Sequence, residues 1–410
     1  MAEHIGSIIE LTVDKIAHGG IAVGRLDGRV VFVSDAIPGE TVRARVSDDR
    51  KKSFWRADAV EVLQPSEHRR EHVWSAAAID RDPRGRAGGA EFGHIALAHQ
   101  RELKRQVLAE SLQRMAGIES DVVVEPLPGD PAVNGLGWRT RIRLHVDEQG
   151  RLGPMASRSH SVIPVQDVPL ATAAVQAATP FAERFVGLGT LDVIAPSTAE
   201  PRLVIGEQKP TVIRELVGER EFRLDDTGFW QVHRSAPVAL TRAVQEAIDP
   251  ALFDPRAENL DLYGGVGLLA AAVADRFGAE TRITSVESDE RATDHASENL
   301  AEWLGASAET GRVDRWLREL DSGASAADRD RLRAATIVLD PPRSGAGSDV
   351  MTVLGRLALA QLVYVACDPV ALARDVALAA EAGYRLARIR AFDLFPHTHH
   401  VEAVATLIRG

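Results

Sequence analysis

The chain has 410 residues, more than the ~250–300 over which one hydrophobic core keeps growing, and its 45% hydrophobic and 26% charged content is ordinary for a soluble globular protein. No apolar run approaches the ~20 residues of a membrane span, and the opening MAEHIGSIIELTVDKIAHGG lacks the basic start and long apolar stretch of a signal peptide, so a cytoplasmic protein is expected. A single cysteine, Cys367, excludes an internal disulfide and any multi-cysteine metal or iron–sulfur site. The net charge of −11 is unevenly spread: residues 1–65 carry 9 Lys+Arg against 10 Asp+Glu, residues 66–160 carry 14 against 13, and residues 161–410 carry 25 against 36. The acid excess therefore lies in the last part alone and counts only mildly against a nucleic-acid partner.

Residues 1–65 read as a small β domain, with short β-branched runs separated by Gly, Asp-Gly and Pro-Gly turns at a spacing that suits a five-stranded oligonucleotide-binding barrel. Arg43, Arg45, Arg50, Lys51, Lys52 and Arg56, with Phe54 and Trp55 among them, form either a surface that holds phosphates and stacks bases or a solvated hairpin with a buried aromatic pair. Residues 68–91 are polar and aperiodic, a loop or linker, and residues 92–115 have helix-period apolar positions with Gly117 as a stop. Short strands then mix with an alanine-rich helix around 170–188. In WRTRIRLHV the alternation puts Arg139, Arg141 and Arg143 on one face, either towards phosphate or as a solubilising edge. From about Trp230 the pattern is β/α. ENLDLY, TRITSVE, ATIVLD and LVYVACD are apolar strands ending in polar residues, which indicates a doubly wound, mostly parallel sheet with its ligand edge at Asp261, Glu287, Asp340 and Cys367.

Four segments carry chemistry. DLYGGVGLLA is a strand, a glycine turn and a helix; its glycines are not spaced as in a pyrophosphate-binding G-x-G-x-x-G, so an adenosine ligand without phosphates fits better than a dinucleotide. Glu287, ending the next strand, stands where a carboxylate accepts from ribose hydroxyls. In IVLDPPRSG two prolines stiffen the turn that presents Asp340. In VYVACDPVALARD, Cys367 stands at a helix start, where the helix dipole would favour thiolate. FPHTHHVEAVATLIRG holds His397, His399 and His400, whose adjacency makes a poor metal set, and Glu402, a carboxylate entering an otherwise apolar strand.

With FWQVH, these segments occur in the order and approximate spacing of the RNA uracil-C5 methyltransferases, and the chain resembles that family over essentially its whole length. The resemblance implies an α/β protein in three parts: an N-terminal TRAM barrel of OB-like type (1–65), a mixed α+β central domain (66–228) whose helix at 92–117 packs on the catalytic domain, and a doubly wound, Rossmann-like methyltransferase domain (229–410). It further implies that Gln231, Tyr263, Glu287 and Asp340 hold S-adenosylmethionine, joined by Asp314 near the adenine. Cys367 would be the nucleophile, and Glu402 the base that removes the C5 proton. The partner implied is structured RNA, tRNA or ribosomal, met by a monomer with no membrane attachment.

Where the family often has Asn, Ser, Cys and Asn, this chain has Asp368, Ala366, Gly264 and His233. Many members also hold an iron–sulfur cluster, but Ala87, Ala90 and Val168 occupy ligand positions here, so no cluster is expected. Three other readings are open: cytosine-C5 methylation, which commonly uses two cysteines; exocyclic-amine methylation, in which an aromatic residue would replace Arg343 and Cys367 would have no task; and a non-catalytic RNA-binding protein on the same fold.

Overall fold

The computed structural model describes residues 4–157, 159–206 and 208–410. Among these residues the chain forms a closed five-stranded barrel, a four-stranded sheet, a two-stranded ribbon and an eight-stranded sheet.

The barrel consists of β1 (Ile8–Ala17), β2 (Ile21–Leu26), β3 (Arg29–Ser34), β4 (Thr41–Asp48) and β5 (Phe54–Gln64), in the order β1-β2-β3-β5-β4. Alternation along β1 turns Leu11 and Val13 inward. A register shift between Val13 and Lys15 then re-phases the strand, so that Ile16 and not Lys15 is buried. The basic cluster does not make one phosphate-facing surface. Arg43 pairs with Glu61 at 2.7 Å, Arg45 with Asp82 at 2.7 Å and Arg50 with Asp48 at 2.7 Å, while Trp55 is buried beneath the Arg29 guanidinium, 4.3 Å from its ring centre. Lys51 and Lys52 are exposed at the β4–β5 turn.

The segment read as a linker is built around Arg86, whose buried guanidinium reaches Asp35 (2.6 Å), the Ile79 carbonyl (2.7 Å) and the Arg81 carbonyl (3.1 Å). The helix read from residue 92 begins later, as α1 (Leu97–Ala116), because Phe92 and Ile95 are held in a turn by the Ile95 N–H to Phe92 carbonyl bond. Gly117, at φ 68°, ends it. Next in the chain, β6 (Val124–Pro126) precedes β7 (Arg141–Val146), β8 (Leu152–Gly153), α2 (Ala173–Ala178), β9 (Thr190–Ile194), β10 (Arg202–Ile205), β11 (Val212–Val217) and β12 (Arg220–Asp225). The alanine-rich helix is only the six residues of α2, since Pro180 cannot continue it. Three arginines around β7 diverge: Arg143 pairs with Asp192 at 2.7 Å, Arg141 bonds the Gly228 carbonyl at 2.9 Å, and Arg139 is recessed with its Nε lacking a partner.

The catalytic unit follows as α3 (Ala236–Ala247), β13 (Asn259–Leu262), α4 (Leu268–Phe277), β14 (Ile283–Glu287), α5 (Glu290–Asn299), β15 (Ala306–Thr310), α6 (Val313–Gly323), α7 (Ala326–Arg333), β16 (Thr336–Leu339), α8 (Gly347–Leu357), β17 (Gln361–Ala366), α9 (Pro369–Glu381), β18 (Tyr384–Asp393) and β19 (Glu402–Arg409). The sheet order is β15-β14-β13-β16-β17-β19-β18-β6; β15 to β17 are parallel, and β19 is antiparallel to both β17 and β18. Residues of β13, β16 and β17 are buried throughout, which is why they read as unbroken apolar runs and not as alternation. The sequence grouped α1 and β6 with the central domain. Here β6 is an edge strand of the catalytic sheet, parallel to β18, and Leu108 and Leu112 of α1 enter the same core as Leu372 and Val376 of α9.

Candidate active site

Parallel strands direct their carboxyl ends to one edge of the sheet, and β13 and β16, neighbours in the sheet but not in sequence, open a crevice there. Tyr263 follows β13 with φ 63°, a left-handed conformation uncommon for a residue with a side chain, and starts the glycine turn. At Gly264 a Cβ would lie 1.9 Å from Ser285 Oγ and 2.8 Å from Asp261 Oδ2. Its absence lets Ser285 donate to Asp261 at 3.3 Å, while the Ala270 N–H donates to the same carboxylate oxygen at 3.0 Å. Asp261 Oδ1 is buried with no hydrogen-bond partner among the described residues.

Glu287 ends β14; its Oε1 accepts from the Ser288 N–H (2.5 Å), the Ser288 hydroxyl (2.9 Å) and the Asp289 N–H (2.9 Å), and its Oε2 from the Gly265 N–H alone (3.1 Å), which fixes the carboxylate over the turn and leaves Oε2 able to accept again. Asp314 lies in the first turn of α6, beyond the carboxyl end of β15, paired with Arg318 at 2.8 Å; desolvation above all, and then this nearby carboxylate, raise the Tyr263 phenol's affinity for its proton. Gln231 is half-buried on the segment leading into α3, and its amide has no hydrogen-bond partner among the described residues.

Asp340 leaves β16 between two prolines' worth of stiffened turn and the Leu262 carbonyl, to which its own N–H donates at 3.2 Å. No described residue donates a hydrogen bond to its carboxylate. Desolvation and the nearby Asp261 push it up to about 7, and desolvation alone is the main reason that Asp261 also stands at about 7. Buried carboxylates with no cation among them are costly to ionise. The fit for S-adenosylmethionine rests on this: its ammonium and sulfonium charges match an uncompensated acidic crevice, and its adenosine hydroxyls match Glu287.

Cys367 and Glu402 are brought together by register. In the β17–β19 pair Ala366 faces Ala403, so the next residue of one strand lies beside the preceding residue of the other. Because β19 is antiparallel, its first residue, Glu402, reaches the edge where the parallel strands end. Glu402 is buried and is held well above the usual carboxylate range by desolvation and by Asp340. The lowered thiol expected at a helix start is not found: desolvation, Glu402 and Asp340 push Cys367 up to about 12, with Arg343 opposing them. The helix terminus has little left to offer the thiol, since Asp368 caps α9 by accepting from the Val370 N–H (3.0 Å) and the Ala371 N–H (2.8 Å).

A cavity of about 230 Å³ adjoins Cys367 and is also lined by His18, Gly20, Phe92, Lys104 and Arg343. Lys104 of α1 is buried against Asp393 (2.5 Å) and the Phe395 carbonyl (3.0 Å), which fixes the loop that leads to Glu402. His397 is structural: at φ 65°, its N–H donates to Gln100 Oε1 (2.8 Å) and its Nε2 contacts the Asn134 carbonyl (2.7 Å). Among the described residues no group of His, Cys, Asp and Glu could hold a metal ion. His233, at the family's Asn position, reaches Asp130 at 2.9 Å. His18 and Asp261 were not given roles from the sequence. Asp261 had a signal, its place in DLYGG; His18 had none, as its partner is 350 residues away.

The positions of an iron–sulfur cluster do not fit one: Ala87, Ala90 and Val168 are buried together in one apolar cluster with Trp74 and Leu152. Purified protein is accordingly expected to carry no stoichiometric iron and to keep full activity in the presence of a chelator. Visible charge-transfer absorbance with bound iron would contradict this.

A doubly wound sheet with a glycine turn and an acidic carboxyl edge is the fold of a Rossmann-like methyltransferase domain. Residues 252–410 match the family model for tRNA (uracil-5-)-methyltransferase, and residues 3–60 match the TRAM domain. The chain is 37% identical to a protein of Streptomyces avermitilis described as an uncharacterized RNA methyltransferase, over 98% of each chain, and 34% identical to one of Bifidobacterium longum with the same description, over 98% of this chain and 96% of that one. The fold matches that of the Pyrococcus abyssi tRNA (uracil-54, C5)-methyltransferase in complex with S-adenosyl-L-homocysteine, with a TM-score of 0.70 at 21% identity, over 98% of this chain and 100% of that one. This chain belongs to the TRAM-domain RNA uracil-C5 methyltransferase family. Among the described residues no helix is long and apolar enough to cross a membrane.

Proposed function

We propose that this enzyme methylates C5 of a uridine in a structured RNA, tRNA or ribosomal, through a covalent adduct between Cys367 and C6. The observation that carries the reading is the β17–β19 register, which sets the chain's one thiol beside a buried carboxylate at the acidic edge. Uracil C5 is too weak a nucleophile to react unaided, and covalent catalysis divides the task.

The target base leaves its stack to enter the cavity beside Cys367. The Cys367 thiol first gives up its proton to solvent through the cavity; the thiolate then forms a bond to C6, and the C5–C6 π electrons move through C4 onto O4, leaving C5 enolate-like. S-adenosylmethionine, held by Gln231, Tyr263, Glu287, Asp314 and Asp340, supplies an electrophilic methyl group for C5 when bound. Glu402 then takes the C5 proton; the electrons of that C–H bond re-form the C5–C6 double bond, and the C6–S bond breaks to return the thiolate. Once ionised, a carboxylate held above its ordinary range is the stronger base for this step, and a cation beside Asp340 favours that ionised form. Asp340 has a second effect: paired with a cation, it no longer repels the charge that forms on Cys367. Burial of Glu402 also limits the access of bulk water to the C5 proton.

The test is mass spectrometry of nucleosides from total RNA of cells lacking the protein, incubated with the purified enzyme and S-adenosylmethionine. 5-Methyluridine is expected, in an RNA from which it was absent before. Methyl groups found only on cytosine C5 or on exocyclic amines would overturn the assignment.

A further inference from the structure

The barrel's first turn sits against the nucleophile. Residues 17–20 join β1 to β2, with Gly19 at φ 84° and Gly20 at φ 72°. A Cβ on Gly20 would come within 2.5 Å of His399 Cβ and 2.9 Å of a Phe92 ring carbon, so the bare backbone packs flat on the loop before Glu402. His18, one residue earlier, extends to Asp368, and its Nε2 lies 2.7 Å from Asp368 Oδ2. The same carboxylate uses its other oxygen, Oδ1, to cap α9. One side chain thus ties the barrel to the helix start immediately after Cys367. The bond to Asp368 raises the imidazole's affinity for its proton, against the effect of desolvation, so the contact is charge-assisted over a wider pH range than for a free histidine.

We propose that His18 is a positioning residue for the methyl-transfer reaction, holding Asp368 so that the Cys367 thiol faces a cavity whose outer wall is the β1–β2 turn. The backbone of Cys367 is fixed on one side by β17 and on the other by Asp368. Asp368 is anchored to α9 through Oδ1 and to the barrel through Oδ2. Loss of the barrel contact leaves the cap intact but frees the carboxylate to rotate about it. A misplacement well under an ångström at a reacting sulfur is felt in the chemical step and not in the affinity for the methyl donor. The proposal rests on Cys367 being the nucleophile.

Full-length wild type, His18→Ala, His18→Gln, Asp368→Ala and the His18→Ala/Asp368→Ala double variant are compared on unmodified total RNA from cells lacking the protein. Single-turnover methyl transfer is measured with S-adenosylmethionine affinity and thermal unfolding alongside. His18→Ala is expected to slow transfer at saturating RNA about ten-fold. The RNA concentration for half-saturation and the donor affinity should stay within about two-fold of wild type. His18→Gln, which keeps an N–H donor at similar reach, should recover most of the rate. The double variant should be no slower than Asp368→Ala, as expected for residues acting through one bond. An unchanged His18→Ala rate, an effect confined to RNA half-saturation, or a double variant with additive losses would each overturn the proposal. RNA transcribed with 5-fluorouridine separates the two levels. A wild type that forms no denaturation-stable adduct overturns the nucleophile assignment and this proposal with it. A wild type that forms one, beside a His18→Ala variant that forms it equally fast, overturns this proposal alone.

Discussion

Cys367→Ala is expected to lower methyl transfer by about 10⁴ or more and to form no covalent complex with RNA, because the variant has no thiol to add at C6. Glu402→Gln should behave differently, although it too stops turnover. The amide keeps the shape and removes the base, so addition and methyl transfer proceed while the C5 proton stays in place and the C6–S bond cannot break. This variant should accumulate a protein–RNA complex that survives denaturing electrophoresis and already carries the methyl group. RNA with 5-fluorouridine at the target should trap wild type in the same form, since fluorine does not leave as a proton does. A Cys367→Ala protein that still methylates, or a Glu402→Gln complex without a methyl group, would remove the division of labour drawn from the β17–β19 register. Thermal unfolding of both variants, measured beside activity, distinguishes loss of chemistry from loss of fold.

Alkylation gives the second large effect, and it reports on one residue because the chain has one cysteine. With Cys367 pushed up to about 12 by desolvation and by Glu402 and Asp340, the thiolate is scarce at neutral pH. Native protein at pH 8 should react with iodoacetamide about 10²-fold more slowly than the same chain unfolded in urea, after allowance for the greater nucleophilicity of a more basic thiolate. The sign with pH follows directly. Below the thiol's pKa the reactive fraction grows about ten-fold per unit, so the native rate should still be climbing at pH 9, where the unfolded chain levels off. A cationic donor analogue such as sinefungin should speed the reaction more than neutral-sulfur S-adenosylhomocysteine does, because it offsets the charge of Asp340. Equal native and unfolded rates at pH 8 would show that the thiol is not held up by its neighbours.

The catalytic sheet was legible because strands buried on both faces carry their assignment in composition: NLDL, TIVL and QLVYVA leave no solvent face to confuse the pattern. Their polar exits named the ligand edge at the same time. The barrel's turns were equally plain. Packing across the chain was legible only where the family resemblance supplied it, as for α1 against the catalytic domain. The alanine-rich stretch looked helical over about 170–188 but ends at Ala178, before Pro180, and the short β6 offered too few residues to show which sheet it would join. The sign of the thiol's shift was missed for a related reason. A helix start is visible locally, but the desolvation that outweighs it, and the acids that follow β16 and open β19, come from packing, and the local dipole is already satisfied by Asp368. The arginines of the barrel illustrate the converse. Their clustering in sequence was real, but Glu61, Asp82 and Asp48 answer Arg43, Arg45 and Arg50, and the first two of these partners are brought in by the fold from 18 and 37 residues away.

The position of β19 also bears on biosynthesis. It is the last strand in sequence, yet it lies inside the sheet, between β17 and β18. Until it is made, β17 has an open edge on one side, and every residue of that strand is apolar or small except Gln361 and Tyr364. A nascent chain holding everything up to β18 would present that edge to other nascent chains, the arrangement most prone to intermolecular strand pairing. The barrel, whose strands are contiguous in sequence, can close long before this. Synthesis therefore yields a folded barrel tethered to an incomplete, pairing-prone sheet, and ribosome pausing ahead of β19 would be expected to lower the yield of soluble enzyme more than pausing anywhere in the barrel.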